Sequence, residues 1–564
     1  MNRFLTLACA VLLTACGPSE QADLVLVGGK VVTVDADVPD GTALAVSGGR
    51  ILHVGSDSEV RDMIGPETEV IELDGRLAIP GFIEGHGHFM SMGNAKMILD
   101  LNNAGTWGDI VGQVEDAVAE AEPGEWILGR GWHQEKWDET PPGSIDGVPT
   151  HHTLSEVSPR NPVYLGHASG HAAFANAEAM RLGGISSETP DPAGGEIVRD
   201  ARGEATGLLR ETAQGLVSRA RSQAQRSMTE EEAEARALEQ ARLAAEEALS
   251  KGITSFQDAG SGFGTIDRFR RLADEGQLPV RLYVMIRASN ERLAENLDAY
   301  RMIGYGDHHL TVRSIKRSID GALGPHGAWL LEPYSDKPES AGLNTSEVGD
   351  VTETARLALE HGYQLNVHAI GDRANREVLD IFEAAFGGPD TEDRRWRVEH
   401  AQHLHPDDIP RFAELAVIAS MQGVHATSDG PWVHAKLGEQ RAREGAYVWR
   451  TLLDSGAMVT NGTDAPVEDV DPIASYHASV TRQVRDGSRF YPDQAMTRIE
   501  ALESYTLSNA VAAFEEDLKG SLTPGKLADI TVLSADILTI PEDEIRTVQV
   551  DYTIVGGDVR FSRR

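Results

Sequence analysis

The chain of 564 residues carries 88 Asp and Glu against 51 Lys and Arg, and its formal net charge at pH 7 is −37. A protein this acidic repels nucleic acid and anionic lipid headgroups, and no basic cluster offsets that repulsion, so we expect no nucleic-acid partner. The length exceeds one typical domain, and 41% hydrophobic residues suffice for a buried core.

The N-terminal residues have the features of a secretion signal. Arg3 precedes an apolar run that is too short to span a membrane, and the run ends in LTAC, which resembles the bacterial lipoprotein box. We therefore predict a lipoprotein signal peptide over residues 1–16, with a lipid on Cys16, and a linker over residues 17–21. The protein would then be anchored in the cell envelope, on the periplasmic or outer-membrane side, and the lipid would be its only membrane contact. The alternative is ordinary signal cleavage and free secretion.

Short β-rich runs punctuated by glycine occur at both ends of the chain. Residues 23–27 and 30–34 flank Gly28 and Gly29, which predicts a hairpin. Further runs follow, at residues 43–46, 50–54, 69–73, 529–533, 548–555 and 558–561. Each end has too few strands to bury a core alone. We predict one composite β-sandwich domain, formed by residues 22–79 and 517–564.

Between these ends, strand-like runs alternate with helical stretches, and the clearest helix is predicted at Glu230–Ser250. Alternating β and α units indicate parallel strands with helical crossovers. We therefore predict an α/β fold, a (β/α)8 barrel over residues 80–516. A segment at about residues 95–225, rich in Gly, Trp and His, fits the alternation poorly and is predicted to be an insertion over the barrel mouth.

Candidate metal ligands stand where strand-like runs end. His86 and His88 would face the same side of a strand, although such a pair alone is more often a surface or core feature. His368, His400 and Asp464 each end a later run, where barrel enzymes keep their catalytic residues. Their separations are 32 residues (400 − 368) and 64 residues (464 − 400), which match one and two βα units of roughly 31 residues. With the histidine pair on strand one, these ligands fall on strands five, six and eight.

Strand four is predicted in TVRSIKRSID, at residues 311–320, and it carries Lys316. A protonated lysine is a poor metal ligand. Carboxylation by CO2 would turn its amine into a carbamate, an anion whose two oxygens can bridge two ions. On the residues alone, a surface lysine beside Arg317 is the simpler interpretation.

The chain resembles the amidohydrolase superfamily, and within it the family-3 branch of N-substituted formamide deformylase-like enzymes. The resemblance runs from about residue 23 to residue 564 and rests on the order of these ligands and on the phrases IKRSIDGALG, NVHAIGDRA, RVEHAQ, MQGVHATSD, GTDAPVEDVDP and GSLTPGKLADI. It implies that Lys316 is a bridging carbamate, and that two divalent ions, expected to be Zn2+, are bound by His86, His88, Lys316, His368, His400 and Asp464. Two departures from the branch are Arg317, usually apolar, and Pro325-His326, usually a small residue and then Arg.

The resemblance also implies a hydrolase that cleaves a carbon–nitrogen bond, of the non-peptide amide or N-acyl type, in a small-molecule substrate. A metal-bound hydroxide would attack the carbonyl, and Asp464 would take its proton and pass it to the leaving nitrogen. Trp132, His171 and His425 are candidate substrate contacts, because similar GW, SGH and QPxH phrases line the active site in the branch; packing is the alternative for each. Glu399 is expected either to orient a metal ligand or to be a strand-end charge.

Two alternatives stay open on the sequence. The same barrel could serve a lactonase, a phosphotriesterase or a cyclic-amide hydrolase, because loops on a constant scaffold set specificity. The other alternative is a solute-binding lipoprotein on an inactive barrel, against which the complete ligand set argues. A homo-oligomer is compatible with the sequence. The identity of the substrate does not follow from the sequence.

Overall fold

The computed structural model describes residues 21–225, 228–388 and 392–563. The predicted signal peptide, with Cys16, lies outside the described residues. Within these three ranges no helix combines the length and the apolar character needed to cross a membrane.

Eight parallel strands form the barrel, and their order around it follows their order in the chain. We number them one to eight: Phe82–Gly87, Ile253–Ser261, Arg281–Ile286, Leu310–Ser318, Gln364–Ala369, Arg397–His400, Ile418–Gln422 and Val459–Gly462. Strand eight packs against strand one, which nearly closes the barrel. A short antiparallel strand, Met302–Gly304, pairs with strand four. The (β/α)8 prediction is confirmed.

Helices connect the strands and cover the outside of the barrel. They are Phe89–Ala95, Glu230–Ser250, Phe263–Asp274, Asn290–Tyr300, Tyr305–His308, Val348–His361, Asp372–Phe386, Ile409–Glu414, Gly423–Leu437, Glu439–Gly445, Trp449–Asp454, Pro472–Thr481, Arg498–Ser504 and Leu507–Ala512. The predicted helix Glu230–Ser250 is confirmed. It begins at a capping box, in which the Thr229 hydroxyl accepts from the backbone N–H of Glu232 at 3.2 Å and the Glu232 carboxylate accepts from the backbone N–H of Thr229 at 2.8 Å.

The chain between strands one and two forms a separate six-stranded sheet. Its strands are Leu99–Asp100, Ile127–Trp132, Val163–His167, Ala172–Ala175, Gly195–Arg199 and Ala205–Glu211, and its helices are Trp107–Glu120, His152–Val157, Ala177–Leu182 and Gln214–Gln225. The sheet has an apolar core of its own, built around Trp107, Trp132, Leu165 and Phe174. We call this part of the chain the insertion; its boundaries at about residues 95–225 stay a prediction.

Strands from both ends of the chain form two further sheets. A four-stranded sheet consists of Ala22–Val27, Ala43–Ser47, Arg50–Gly55 and Ile64–Glu72, with a short helix at Asp57–Arg61. A five-stranded sheet joins Lys30–Val31 and Leu77–Pro80 to Ile530–Leu533, Val550–Val555 and Asp558–Ser562. Leucine, valine and isoleucine side chains of both sheets share one core. This is the composite β domain expected from the two ends, and its residue boundaries stay a prediction.

The hairpin predicted across Gly28 and Gly29 is wrong. The strand before these glycines belongs to the four-stranded sheet, and the strand after them belongs to the five-stranded sheet. Gly28 has φ +74°, a backbone conformation that favours glycine, and a Cβ on Gly29 would lie 2.6 Å from the carbonyl oxygen of Arg76. The glycine pair therefore carries the chain from one sheet to the other.

Candidate metal centre and active site

All six predicted metal ligands converge at the carboxyl ends of the barrel strands, where each strand gives way to a loop. Four lie on strands one, four, five and six, and two follow strands one and eight closely. The residues on these four strands are, in order, His86, Lys316, His368 and His400. His88 follows strand one, and Asp464 follows strand eight. We call these six residues the ligand cluster.

Distances within the ligand cluster are short. Asp464 Oδ1 lies 3.2 Å from His88 Nε2 and 3.6 Å from His86 Nε2, and Lys316 Nζ lies 3.3 Å from His86 Nε2. The candidate ligand atoms of His86, His400 and Asp464 all lie within 4.8 Å of one another. Residues that are almost 400 positions apart in the chain could therefore act on one bound group.

Two polar side chains orient the imidazoles of the cluster. Nδ1 of His86 is hydrogen-bonded to the carboxylate of Glu399, and Nδ1–H of His400 can donate to Gln422 Oε1 at 2.8 Å. Both contacts leave the Nε2 atom of the ring for a metal. Of the two expectations for Glu399, the structure favours orientation of a ligand; a role for Gln422 was not predicted.

Burial and neighbouring side chains together set the protonation states of the ligand cluster. Burial lowers the pKa of His86, and it lowers the pKa values of His368 and His400 well below the usual histidine range. These rings are therefore neutral at neutral pH, which is the form that binds metals. Burial alone would raise the pKa of Asp464, but contacts with His88 and His86 hold it well below the usual carboxyl range, so this side chain is ionised.

The donor atoms of the cluster fit divalent metal ions. His368 Nε2 and Asp464 Oδ1 are buried and accept no hydrogen bond from any described residue. A buried lone pair without a partner costs free energy, and a bound cation would remove that cost. Neutral imidazole nitrogens and an ionised carboxylate are the ligands that zinc prefers.

Two acidic residues that were not predicted fix the loops of the cluster. The carboxylate of Asp320 accepts backbone N–H groups of Trp329 at 2.9 Å, Ile370 at 3.0 Å and Gly371 at 2.8 Å, and it lies 3.4 Å from His368 Nε2. Glu84 Oε1 accepts the backbone N–H of Thr463 at 2.6 Å, next to Asp464. Asp320 belongs to the motif IKRSIDGALG, and Glu84 lies two residues before His86. Their partners lie mostly after other strands, so local sequence gives no signal for these contacts.

Two cavities meet at the ligand cluster, and both are lined by Ser169, His171, His368, His400 and Asp464. We call the first the apolar arm, because apolar residues form much of its lining, although the charged residues Lys136, Asp429 and Glu468 also line it. The apolar residues are Ala168, Ala322, Leu323, Pro325, Ile370, Trp432 and Val467. We call the second the polar arm, because its lining includes Thr212, Gln214, Arg287, Ser318, Thr345 and Ser346. Ser169 and His171 come from the insertion, which therefore forms part of the active-site wall.

Two of the three predicted substrate contacts line the apolar arm. His171 is held by a hydrogen bond from Nδ1 to Glu211 Oε2 at 2.8 Å, and its ring lies 4.8 Å from that of His368. The ring of His425 is stacked 6.4 Å from that of His400, and its buried Nε2 makes no hydrogen bond to any described residue. Both imidazoles are placed to contact a substrate.

The third predicted contact, Trp132, packs elsewhere. Its side chain is only 1% exposed, its indole N–H donates to the Leu165 carbonyl at 2.9 Å, and it lies in the core of the insertion. Because side chains alternate along a strand, the next residue, His133, reaches the apolar arm instead. The aromatic wall of that arm comes from Trp432, on the helix that follows strand seven.

The two departures from the branch pattern have separate structural roles. Arg317 lines the polar arm but is no part of the ligand cluster, and its Nε donates to Thr354 Oγ1 at 2.7 Å. His326 lies 3.1 Å from Asp336 Oδ2, and it is Pro325, not His326, that lines the apolar arm.

Comparisons with known proteins give one family. The sequence model described as "Amidohydrolase family" matches residues 69–561. The chain is 34% identical to Protein LONG AFTER FAR-RED 3 of Arabidopsis thaliana over 95% of this chain and 91% of that protein, and 30% identical to N-substituted formamide deformylase of Arthrobacter pascens over 97% and 99%. The crystal structure of an uncharacterized metal-dependent hydrolase from Pyrococcus horikoshii OT3 superposes with a TM-score of 0.72 and 25% identity, and covers 92% of this chain and 99% of that one.

Proposed function

Because this chain belongs to the amidohydrolase family and is a hydrolase, we propose that it depends on a metal and cleaves the carbon–nitrogen bond of an N-acyl or N-formyl amine. The observation that carries the proposal is the ligand cluster itself, in which neutral imidazoles and one ionised aspartate face a cavity with an apolar arm. The apolar arm suits an apolar substituent on the nitrogen or on the acyl group. The relative named as an N-substituted formamide deformylase supports this substrate class.

The proposed cofactor is a pair of Zn2+ ions, which the six residues of the ligand cluster would hold, with Lys316 carboxylated to a carbamate. Carboxylation by CO2 needs the neutral amine. Burial lowers the pKa of Lys316 to about 8, so a larger fraction of this amine is neutral at neutral pH than of an exposed lysine. The only hydrogen-bond partner of Nζ among the described residues is His86 Nε2, at 3.3 Å.

The chemistry then follows from the positions of the side chains. When bound, the ions would lower the pKa of a water molecule and polarise the substrate carbonyl. Asp464 is ionised, so it can accept the proton of an attacking water and deliver it to the leaving nitrogen. Burial opposes protonation of His171, but the carboxylate of Glu211 raises its pKa, so this ring can donate a hydrogen bond to the carbonyl oxygen.

A hydrolysis panel tests this proposal. The zinc-loaded protein should hydrolyse N-formyl and N-acetyl amines with a higher kcat/KM than lactones or phosphotriesters, and Asp464→Asn should abolish the activity. Faster turnover of a lactone or a phosphotriester would identify one of the alternative activities instead. Elemental analysis should find two zinc ions per chain, and a content well under one would contradict the binuclear site.

We also propose that Cys16 is the lipidated N-terminus of the mature protein, on the basis of the LTAC box. Metabolic labelling with a fatty-acid analogue should mark the wild type and Cys9→Ser, because Cys9 is removed with the signal peptide. The same labelling should fail with Cys16→Ser. Equal labelling of Cys16→Ser and the wild type would contradict the anchor.

A further inference from the structure

Arg287 lines the polar arm and has no acidic partner among the described residues. Arg287 directly follows strand three, and its side chain is exposed. Among the described residues, its guanidinium donates only to Ser318 Oγ, at 3.3 Å. No carboxylate of the described ranges lies within 4.0 Å of it. Such a cation is unexpected in a chain with 88 acidic residues, where ion pairs are common on the surface.

The carboxylates that share the polar arm with Arg287 already have other partners. Glu211 is bonded to His171, Asp320 accepts three backbone N–H groups, and Asp464 contacts the histidines of the cluster. None of these three acids lies within the 4.0 Å of an ion pair with the guanidinium. Two other cations line the arm: Lys316 belongs to the ligand cluster, and the guanidinium of Arg317 donates to Thr354, Ala288 and Asn290. The hydroxyls and the amide of the arm can hydrogen-bond a polar ligand but cannot balance a charge.

Arg287 also lies at the right place for a group joined to the scissile amide. Ile286 on strand three pairs with Ile315 on strand four, so Arg287 comes beside Lys316. A Cβ on Gly260 would lie 3.1 Å from Arg287 Cδ and 3.6 Å from Lys316 Cγ, which shows that the two side chains pack beside the same glycine. Arg287 and the ligand cluster therefore border the same cavity.

We infer that the polar arm binds a carboxylate of the substrate through Arg287, so that the substrates are amides that carry a carboxylate a few bonds from the scissile carbon–nitrogen bond. This inference rests on the proposed function. A guanidinium presents a fork of N–H donors that matches a carboxylate in charge and in geometry. The apolar arm would hold the other substituent, so the two arms together would orient the amide over the ligand cluster.

Two matched pairs of substrates test the inference. N-acetylphenylalanine and N-acetylphenethylamine differ only by a carboxylate on the amine side. N-succinylphenethylamine and N-butanoylphenethylamine differ by a carboxylate on the acyl side. In at least one pair, the zinc-loaded wild type should prefer the carboxylate by on the order of 10- to 100-fold in kcat/KM, which is the size expected of a hydrogen bond to a charged group. No preference in either pair would overturn the inference.

Variants of Arg287 assign the preference to this residue. Arg287→Met keeps the aliphatic stem and should bring the ratio within the pair close to one, whereas Arg287→Lys keeps the charge without the fork and should retain part of it. Arg292→Met is the matched control, because Arg292 lies on the next helix with its guanidinium over Phe263 and does not line either arm. It should keep both the ratio and the activity. An unchanged ratio in Arg287→Met would contradict the role of Arg287.

A binding measurement separates this inference from the proposed function. If the wild type hydrolyses none of the four amides, the proposed function fails for them. Calorimetric titration of N-acetylphenylalanine and of N-succinylphenethylamine into the zinc-loaded protein then decides the inference alone. Binding by the wild type that weakens at least about tenfold in Arg287→Met supports a carboxylate site. Absence of binding of both ligands, or equal Kd values in the two proteins for every ligand that binds, overturns it.

Discussion

At the scale of single residues, the structure distinguishes two neighbours that the sequence could not. Lys316 and Arg317 are consecutive on strand four, so their side chains point in opposite directions. Lys316 is only 2% exposed and lies 3.3 Å from His86 Nε2, whereas Arg317 bonds to Thr354 outside the cluster. The interpretation of Lys316 as a surface lysine is therefore wrong, and its carboxylation is open to a direct test.

Lys316→Ala should lose zinc and activity together, because a negatively charged bridge between two cations would be gone. We expect kcat to fall by more than the roughly 100-fold that is lost when a side chain hydrogen-bonded to a metal ligand is removed. Acetate or propionate should restore part of the activity, because a small carboxylate can place two oxygens in the vacated space. Elemental analysis and kcat, each measured with and without the acid, check this.

Lys316→Arg is the stricter control. A guanidinium is not carboxylated and stays positive between two cations, so this variant should be inactive and should not respond to acetate. Turnover near that of the wild type would mean that Lys316 is no metal bridge, whatever the alanine variant does.

At the scale of elements, the loop after strand four and the end of the insertion are fitted to each other. A methyl group on Gly321 or Gly327 would overlap Glu211 Oε1, so the two glycines make room for this carboxylate. Glu211 ends the strand Ala205–Glu211, its backbone N–H donates to the His171 carbonyl at 2.8 Å, and its carboxylate is bonded to the His171 ring. The glycines in the motif IDGALGPHG thus help to position a histidine of the insertion.

Gly321→Ala should push the Glu211 carboxylate away from His171 and lower kcat/KM by up to about 100-fold, the cost of displacing a substrate-orienting group by roughly 1 Å. Zinc content should not change, because no residue of the ligand cluster is displaced. Steady-state kinetics with an N-formyl amine, together with elemental analysis, measure both effects, and Glu211→Gln should reproduce them.

The control for this loop is Gly264→Ala, on the outer helix Phe263–Asp274, where an added methyl group meets open space. It should leave kcat/KM at the wild-type value. Wild-type kinetics in Gly321→Ala would mean that the position of Glu211 does not matter for His171, and loss of zinc would mean that the loop supports the metal centre instead.

At the scale of the whole molecule, a buried ion pair joins the barrel to the sheet formed by the chain ends. Arg281, at the start of strand three, donates from Nε to Asp529 Oδ2 at 2.8 Å and from Nη2 to Oδ1 at 3.0 Å, and both side chains are buried. Asp529 also accepts the backbone N–H of Gly556 at 2.9 Å. Burial alone would raise the pKa of Asp529, but the charge of Arg281 lowers it.

Asp529→Asn should lower the free energy of unfolding by about 3–5 kcal/mol, because it leaves the charge of Arg281 buried without a partner. Since the pKa of Asp529 is lowered in the folded protein, its ionised form stabilises the wild type above the ordinary carboxyl pKa. That stabilisation is lost as the pH falls below this value, and the variant should lack this part of the pH dependence. Urea denaturation at neutral and acidic pH measures both quantities.

Asp558→Asn is the matched control, because Asp558 forms an exposed pair with Arg560 at 2.8 Å in the same sheet. An exposed pair contributes roughly 0–1 kcal/mol, so this variant should unfold almost as the wild type does. Equal effects of the two substitutions would show that the buried pair does not hold the barrel and the sheet together.

The barrel and the positions of the ligand cluster could be predicted from the sequence because both depend on short-range patterns. Strand and helix periods are local, and the spacing of His368, His400 and Asp464 repeats the length of a βα unit. Parallel strands all place their carboxyl ends at one face of a barrel, so residues that end strands must meet there. The identity of Lys316 as a ligand candidate came from the family resemblance and not from the spacing.

The tertiary structure decided what depends on contacts between distant segments. Which strands and helices pack together determines that Glu399 contacts His86 and that Gln422 contacts His400. The same packing places Trp432 in the cavity wall, where Trp132 had been predicted. The hairpin prediction was wrong for the same reason: two glycines between strands do not say whether the second strand pairs with the first or with another sheet. A periodic pattern specifies the conformation of one segment and its buried face, whereas the partner of that face is selected by packing over the whole chain.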